Sequence, residues 1–121
     1  MLFGYIAVVA GLVVTFWGVT ASIKLEANRI GENASIVFHK DKVESLLLMI
    51  DSDQYSLKEK NGAIWALGVL KDKRALSKLE SLVTDKECNH AEKLCQLEIK
   101  KSILKIKGKF IISWQTEYNH Q

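Results

Sequence analysis

Val43-Glu44-Ser45-Leu46-Leu47-Leu48-Met49-Ile50 and Leu76-Ser77-Lys78-Leu79-Glu80-Ser81-Leu82-Val83 share one apolar pattern, offset by a constant thirty-three residues. Val43, Leu46, Met49 and Ile50 fall against Leu76, Leu79, Leu82 and Val83, all at helical spacing, which predicts two equivalent amphipathic helices. Each is followed by a second apolar series. Ala63, Ala66, Leu67 and Leu70 correspond, at a shift of thirty-six, to Ile99, Ser102, Ile103 and Ile106. The three extra residues belong in the longer second turn, around Lys86 to His90. A repeat of this length made of two helices predicts a short α-solenoid, in which one hairpin buries its apolar face on the next.

Capping residues agree with those boundaries. Ser56 precedes Glu59 by three residues and Asn89 precedes Glu92 by three, so each second helix has the residues of a capping box. Asp72 is placed to cap the helix that begins near Lys73. The chain has no Pro, and Gly is sparse outside the first segment, which argues against a multi-turn sheet protein. An all-α chain of one small domain is the expectation.

Residues 63–75 read Ala-Ile-Trp-Ala-Leu-Gly-Val-Leu-Lys-Asp-Lys-Arg-Ala. This stretch resembles the HEAT-like repeat signature of the phycobilin-lyase type, with Ala63, Ala66, Leu67, Gly68, Leu70, Asp72, Arg74 and Ala75 on the motif's positions. The resemblance covers residues 40–108. It implies that Asp72 caps the following helix and that Arg74 ties successive repeats together. Small side chains at Ala63, Ala66 and Gly68 suit close helix packing, for which Gly68 gives up about 1 kcal/mol of helix propensity. The chain departs from the family in having two recognisable repeats, no Pro after the motif Asp and a degenerate last helix. The family also suggests a tetrapyrrole lyase-like activity, but a shared fold does not carry a shared reaction.

Upstream of the repeats, residues 1–23 contain no charged side chain. Leu2 to Ile23 is long enough as a helix to cross a hydrocarbon layer of about 30 Å. A transmembrane anchor is therefore expected, with a cleaved secretory signal as its rival because Val19, Thr20 and Ala21 are small or polar. The absence of Lys or Arg from the first few residues and the length of the apolar run favour the anchor. Tyr5 and Trp17 lie toward its two ends, where aromatic rings with a polar edge settle. Gly4, Ala7, Gly11, Thr15, Gly18 and Ser22 recur every three or four residues, a small-residue face on which two such helices can pack into a homodimer.

Residues 24–39 read as a juxtamembrane linker. Lys24 to Ile30 prolongs the helix into water, and Gly31 is expected to end it in the left-handed conformation. Ile36, Val37 and Phe38 are expected to form a short β-favouring run, as are Phe110, Ile111 and Ile112 in the tail, residues 109–121. Leu47 and Leu48 occupy positions held by Glu80 and Ser81 in the second repeat, so the first repeat has extra apolar surface. The Ile36 to Phe38 strap is expected to cover it, with a partner as the alternative. Lys24 and Arg29 favour a cytoplasmic domain by the positive-inside tendency, whereas two closely spaced cysteines favour an oxidising compartment, so the side of the membrane stays open.

Cys88, His90 and Cys95 form the one constellation able to do chemistry. Seven positions apart on a continuous helix the two sulfurs would lie about 10 Å apart along the axis, too far to bond. With Asn89 as a cap, Cys88 lies in the preceding loop and a disulfide to Cys95 becomes feasible. Unbonded thiols are the second expectation. A metal site would need a further ligand such as His39 or His120, in no common zinc pattern. Catalysis by Cys88 beside His90 lacks a third group. Asn33-Ala34-Ser35 matches a glycosylation acceptor, a triplet frequent by chance.

The last helix carries Lys93, Lys100 and Lys107 at intervals of seven, with Lys101, Lys105 and Lys109 nearby. A solvated face explains this stripe, and anionic lipid is the functional alternative. Seventeen Lys and Arg against fourteen Asp and Glu give a net charge of +3, and without interleaved aromatics nucleic acid is not expected. Leu47, Leu48, Asn61, Trp65 and Lys101 form the candidate partner surface. The expected function is a single-pass, membrane-anchored scaffold in the cell membrane that holds a protein partner by contact, with no catalytic residue, cofactor or metal. A lyase-like or thiol-based accessory enzyme and a lipid-binding module are the alternatives.

Overall fold

One helix, α1, runs without interruption from Leu2 to Phe38 in the computed structural model, which describes residues 1–84 and 93–109. Its first half lies entirely outside the packed domain. Residues 1–26 are all exposed except Thr20, which is half-covered, and burial begins at Ala27. The helix therefore has two parts with different surroundings. An 18-residue window within α1 has a mean hydropathy of 2.1, and the helix is long and apolar enough to cross a membrane.

Gly31 does not end α1. It is buried within the helix, and a Cβ placed there would lie 3.1 Å from Cβ of Lys42. Its use is close approach, where the missing side chain lets the start of the next helix come down on α1. The left-handed terminus falls instead at His39, φ 55°, whose backbone N–H donates to the Ser35 carbonyl at 2.9 Å. The Ile36 to Phe38 run is correspondingly helical and makes no strap. Ile36 and Val37 are exposed, while Phe38 packs toward Tyr55 with ring centroids 6.1 Å apart. Continuation of an established helix costs less than nucleating a lone strand, so the β-favouring side chains are overridden.

Asp41 then caps α2, Lys42–Asp51, its carboxylate accepting from the amides of Val43 and Glu44. Val43, Leu46, Met49 and Ile50 are all buried on one side of α2, as their spacing predicts. Ser56 opens α3, Leu57–Leu70, with both halves of the capping box formed to Glu59. At its other end Lys71, φ 55°, is a left-handed cap. A 3-10 turn, Lys73–Ala75, leads into the short α4, Leu76–Ser81, and Gln96–Ile106 forms α5. Leu79 is fully buried, but Leu76, Leu82 and Val83 are half-covered, so the second copy of the pattern is packed more loosely than the first.

The core lies between α3 and its neighbours. α1 packs on α2 and α3, α2 on α3, α3 on α5, and α4 on α5. Ala27 and Ala34 of α1 join Leu46, Ile64, Leu67, Leu79 and Ile99 in a single apolar cluster. At the α3 to α5 crossing, a Cβ on Gly68 would sit 2.8 Å from Cα of Ser102. The buried Ser102 hydroxyl donates to the Ile64 carbonyl at 2.9 Å, which gives a polar residue in this contact its partner. Among the described residues all regular structure is helical.

The expected capping box at Asn89 and Glu92, the thiol of Cys88, the imidazoles of His90 and His120, and the Phe110 to Ile112 run lie outside the described residues. The last helix itself opens later than Asn89, at Gln96 with Cys95 as its N-cap. Two side chains hold this start: Asn61 on α3 accepts from the Cys95 amide at 2.9 Å, and Gln96 reaches Thr84 and Leu82.

Candidate functional site

Between the lower half of α1 and the start of α3 runs an open groove of about 700 Å³. Ile30, Ala34 and Val37 line it from α1, Met49 from α2, and Tyr55 and Gly62 from the loop and α3. Glu26, Arg29, Lys58 and Glu59 stand along its polar rim. The groove exists because α3 rests on the Ala27 and Ala34 side of α1, while Gly62 places no side chain in the space between: a Cβ there would meet nothing within 4 Å.

The rim carboxylates are committed to structural roles. Glu59 is held below the usual carboxylate range by the Ser56 amide and then the Ser56 hydroxyl. Glu26 is lowered by its hydrogen bonds to Arg29, at 2.6 and 2.9 Å. Both are ionised at neutral pH, so neither is tuned to take and return a proton. The arrangement suits reversible binding of an apolar segment bearing mixed charges. Among the described residues no group of His, Cys, Asp and Glu is placed to hold a metal ion.

The five residues expected to form a partner surface do not share one environment. Leu48 is exposed on α2, whereas Leu47 and Trp65 are partly buried against the core. Asn61 is engaged with the Cys95 amide, and Lys101 pairs with Glu98 at 3.5 Å. Of the basic stripe, Lys107 also has a partner, Glu80. Cys95 is buried. The small-residue positions Gly4, Gly11 and Gly18 face open space on α1, and Ala7 is exposed beside them.

The repeat-signature residues divide cleanly. Ala63, Ala66, Leu67, Gly68 and Ala75 are buried and Leu70 is half-covered. Asp72 accepts from the Arg74 amide at 2.9 Å, and the Arg74 guanidinium reaches both Asp72 and Asp41. The groove residues Ile30 and Tyr55 were not singled out by sequence, since they lie in segments read as linker and turn, and Val37 was expected in a β-favouring strap and not in a groove wall. The one available signal was the helical spacing of Ile30, Ala34 and Val37.

Comparison with protein-family models, curated proteins and solved structures found no match for this chain.

Proposed function

We propose that this chain is a single-pass membrane protein whose short HEAT-like helical domain holds a protein partner at the bilayer surface, by contact and without catalysis. The observation that carries this reading is the division of α1, whose apolar first half is bare while its second half is an integral wall of the domain. Hydroxyls in the bare half suit a lipid setting. Thr15, Thr20 and Ser22 each donate to a backbone carbonyl three or four residues earlier, so each aliphatic hydroxyl there has a partner within the helix. The Asp72 and Arg74 contacts support the HEAT-like reading, because they fill the roles that resemblance implies. The groove supplies the partner surface, replacing the dispersed set centred on Trp65.

Tethering raises the local concentration of the groove for anything at the same membrane, so modest intrinsic affinity suffices. The test uses the full chain in its native membrane with a photo-crosslinking residue at Val37 and, separately, at the exposed Ser77. A discrete adduct from Val37 alone, abolished by Gly62→Trp, is expected, since that substitution fills the groove without entering the core. An adduct of two copies of this chain, or none from either position, overturns the hetero-partner reading. Release of the chain by alkaline extraction overturns the anchor.

A further inference from the structure

The middle of α1 and the end of α3 bring Lys24 and Lys71 to one level. The groove brings Val37 together with Tyr55 and Lys58, while a second, smaller cavity of about 290 Å³ brings Lys24 and Asn28 together with Val69, Leu70 and Lys71. The two helices therefore run in opposite directions, and α3 ends beside the residue that follows the apolar run. Thr20, Lys24 and Asn28 lie four residues apart on one face of α1, and Thr20 is the one half-covered residue before Ala27. The domain thus reaches back as far as Lys24, the first charged residue after the apolar run.

We infer that the corner formed by Lys24, Lys71 and Lys73 docks the domain onto the anionic phospholipid headgroups of the bilayer that α1 crosses. This rests on the membrane-anchored reading above. All three lysines are exposed, and none forms an ion pair among the described residues. The neighbouring carboxylates, Asp41 and Asp72, are both engaged by Arg74 and by backbone amides. The lysines on either side of Asp41 are also satisfied, Lys40 by Glu44 and Lys42 by Glu32. The left-handed turn at Lys71 is what swings the chain so that Lys71 and Lys73 stand clear of the core. A lysine at an anionic surface favours the bound state by about fivefold, and the anionic leaflet of a cell faces the cytoplasm. Docking therefore assigns the domain to that side, in agreement with Lys24 and Arg29 flanking the span.

The full chain is reconstituted into vesicles of phosphatidylcholine alone and of phosphatidylcholine with phosphatidylserine, and lysine acetylation rates are read by mass spectrometry. Lys71 and Lys73 are expected to react about fivefold more slowly in the anionic vesicles, an effect reversed by salt, while Lys58 and Lys60 at the far end of α3 are unchanged. The Lys71→Glu/Lys73→Glu variant should erase the lipid dependence at Lys24 without changing the melting temperature. Equal rates in both lipids, or equal slowing at Lys58, overturn the docking site while leaving the anchor standing. Failure of the chain to remain with either vesicle overturns the anchor and the docking site together.

Discussion

Arg74 grips Asp41, thirty-three residues earlier, with two hydrogen bonds: Nη1 to Oδ2 at 3.1 Å and Nη2 to Oδ1 at 3.2 Å. The separation equals the shift of the apolar repeat. Asp41 caps α2, and Asp72, held by the same guanidinium, caps the turn into α4. One planar cation thus clasps the N-cap of α2 and the N-cap of the turn into α4, a task for which the fork of Arg is suited and the point charge of Lys is not.

Arg74→Lys should consequently lower the thermal midpoint measured by circular dichroism, and Arg74→Met should lower it further. A matching change at Lys60, which makes no side-chain hydrogen bond or ion pair among the described residues, serves as the reference. Identical midpoints for all three variants and the parent would show that the clasp contributes nothing to stability.

Acid should loosen the corner around Arg74 and the start of α3. Asp41 is lowered first by the Glu44 amide and then by Arg74, Asp72 first by the Arg74 guanidinium and then by its amide, and Glu59 by Ser56. Because these groups ionise at lower pH in the folded chain, the unfolded chain takes up protons first as pH falls. Their contribution is complete above about pH 5 and is lost from about pH 4 downward. Urea midpoints measured across that range should fall steeply, and less steeply in Asp41→Asn. A flat profile would contradict the assignment.

Two glycines of α3 should respond to alanine with opposite signs. Gly62→Ala adds a Cβ into open space and should stabilise by about 0.5–1 kcal/mol, the ordinary gain for a helix interior. Gly68→Ala drives a Cβ to 2.6 Å from Oγ and 2.8 Å from Cα of Ser102. The backbone of α5 must move, so a net loss of about 1–2 kcal/mol is expected despite better helix propensity. Chemical denaturation of both variants checks the sign. A gain at both positions would mean that α3 and α5 do not meet as described.

Asn61→Ala should destabilise by about 1–2 kcal/mol, since it leaves the amide at the start of α5 without its side-chain acceptor. Hydrogen exchange is the sharper measurement, with faster exchange expected at Cys95 than at Ile103. Uniform acceleration along α5 would instead indicate global destabilisation.

The position of Asn61 also marks where sequence reading stopped. As an uncharged polar residue on a helix face it looked available to a partner, and only the arrival of Cys95, thirty-four residues later, shows that it is occupied. Gly31 misled for a related reason. A glycine before a polar run is the usual sign of a helix end, and its alternative use depends on Lys42 approaching from another element. The groove and the lysine corner are likewise made by α1 and α3 lying antiparallel, a relationship with no local signature.

Sequence alone determined that this chain is helical, that it has a segment long and apolar enough for a bilayer, and, through the Ser56 and Glu59 pair, where α3 begins. Those features arise from spacing, side-chain polarity and caps within a few residues of one another. Tertiary structure decided that the presumed linker is the second half of one long helix, that Arg74 is the clasp between Asp41 and Asp72, and which polar residues remain open to a partner. Such outcomes depend on which surfaces meet across thirty or more residues, where excluded volume and hydrogen-bond competition choose among groups that look alike along the chain.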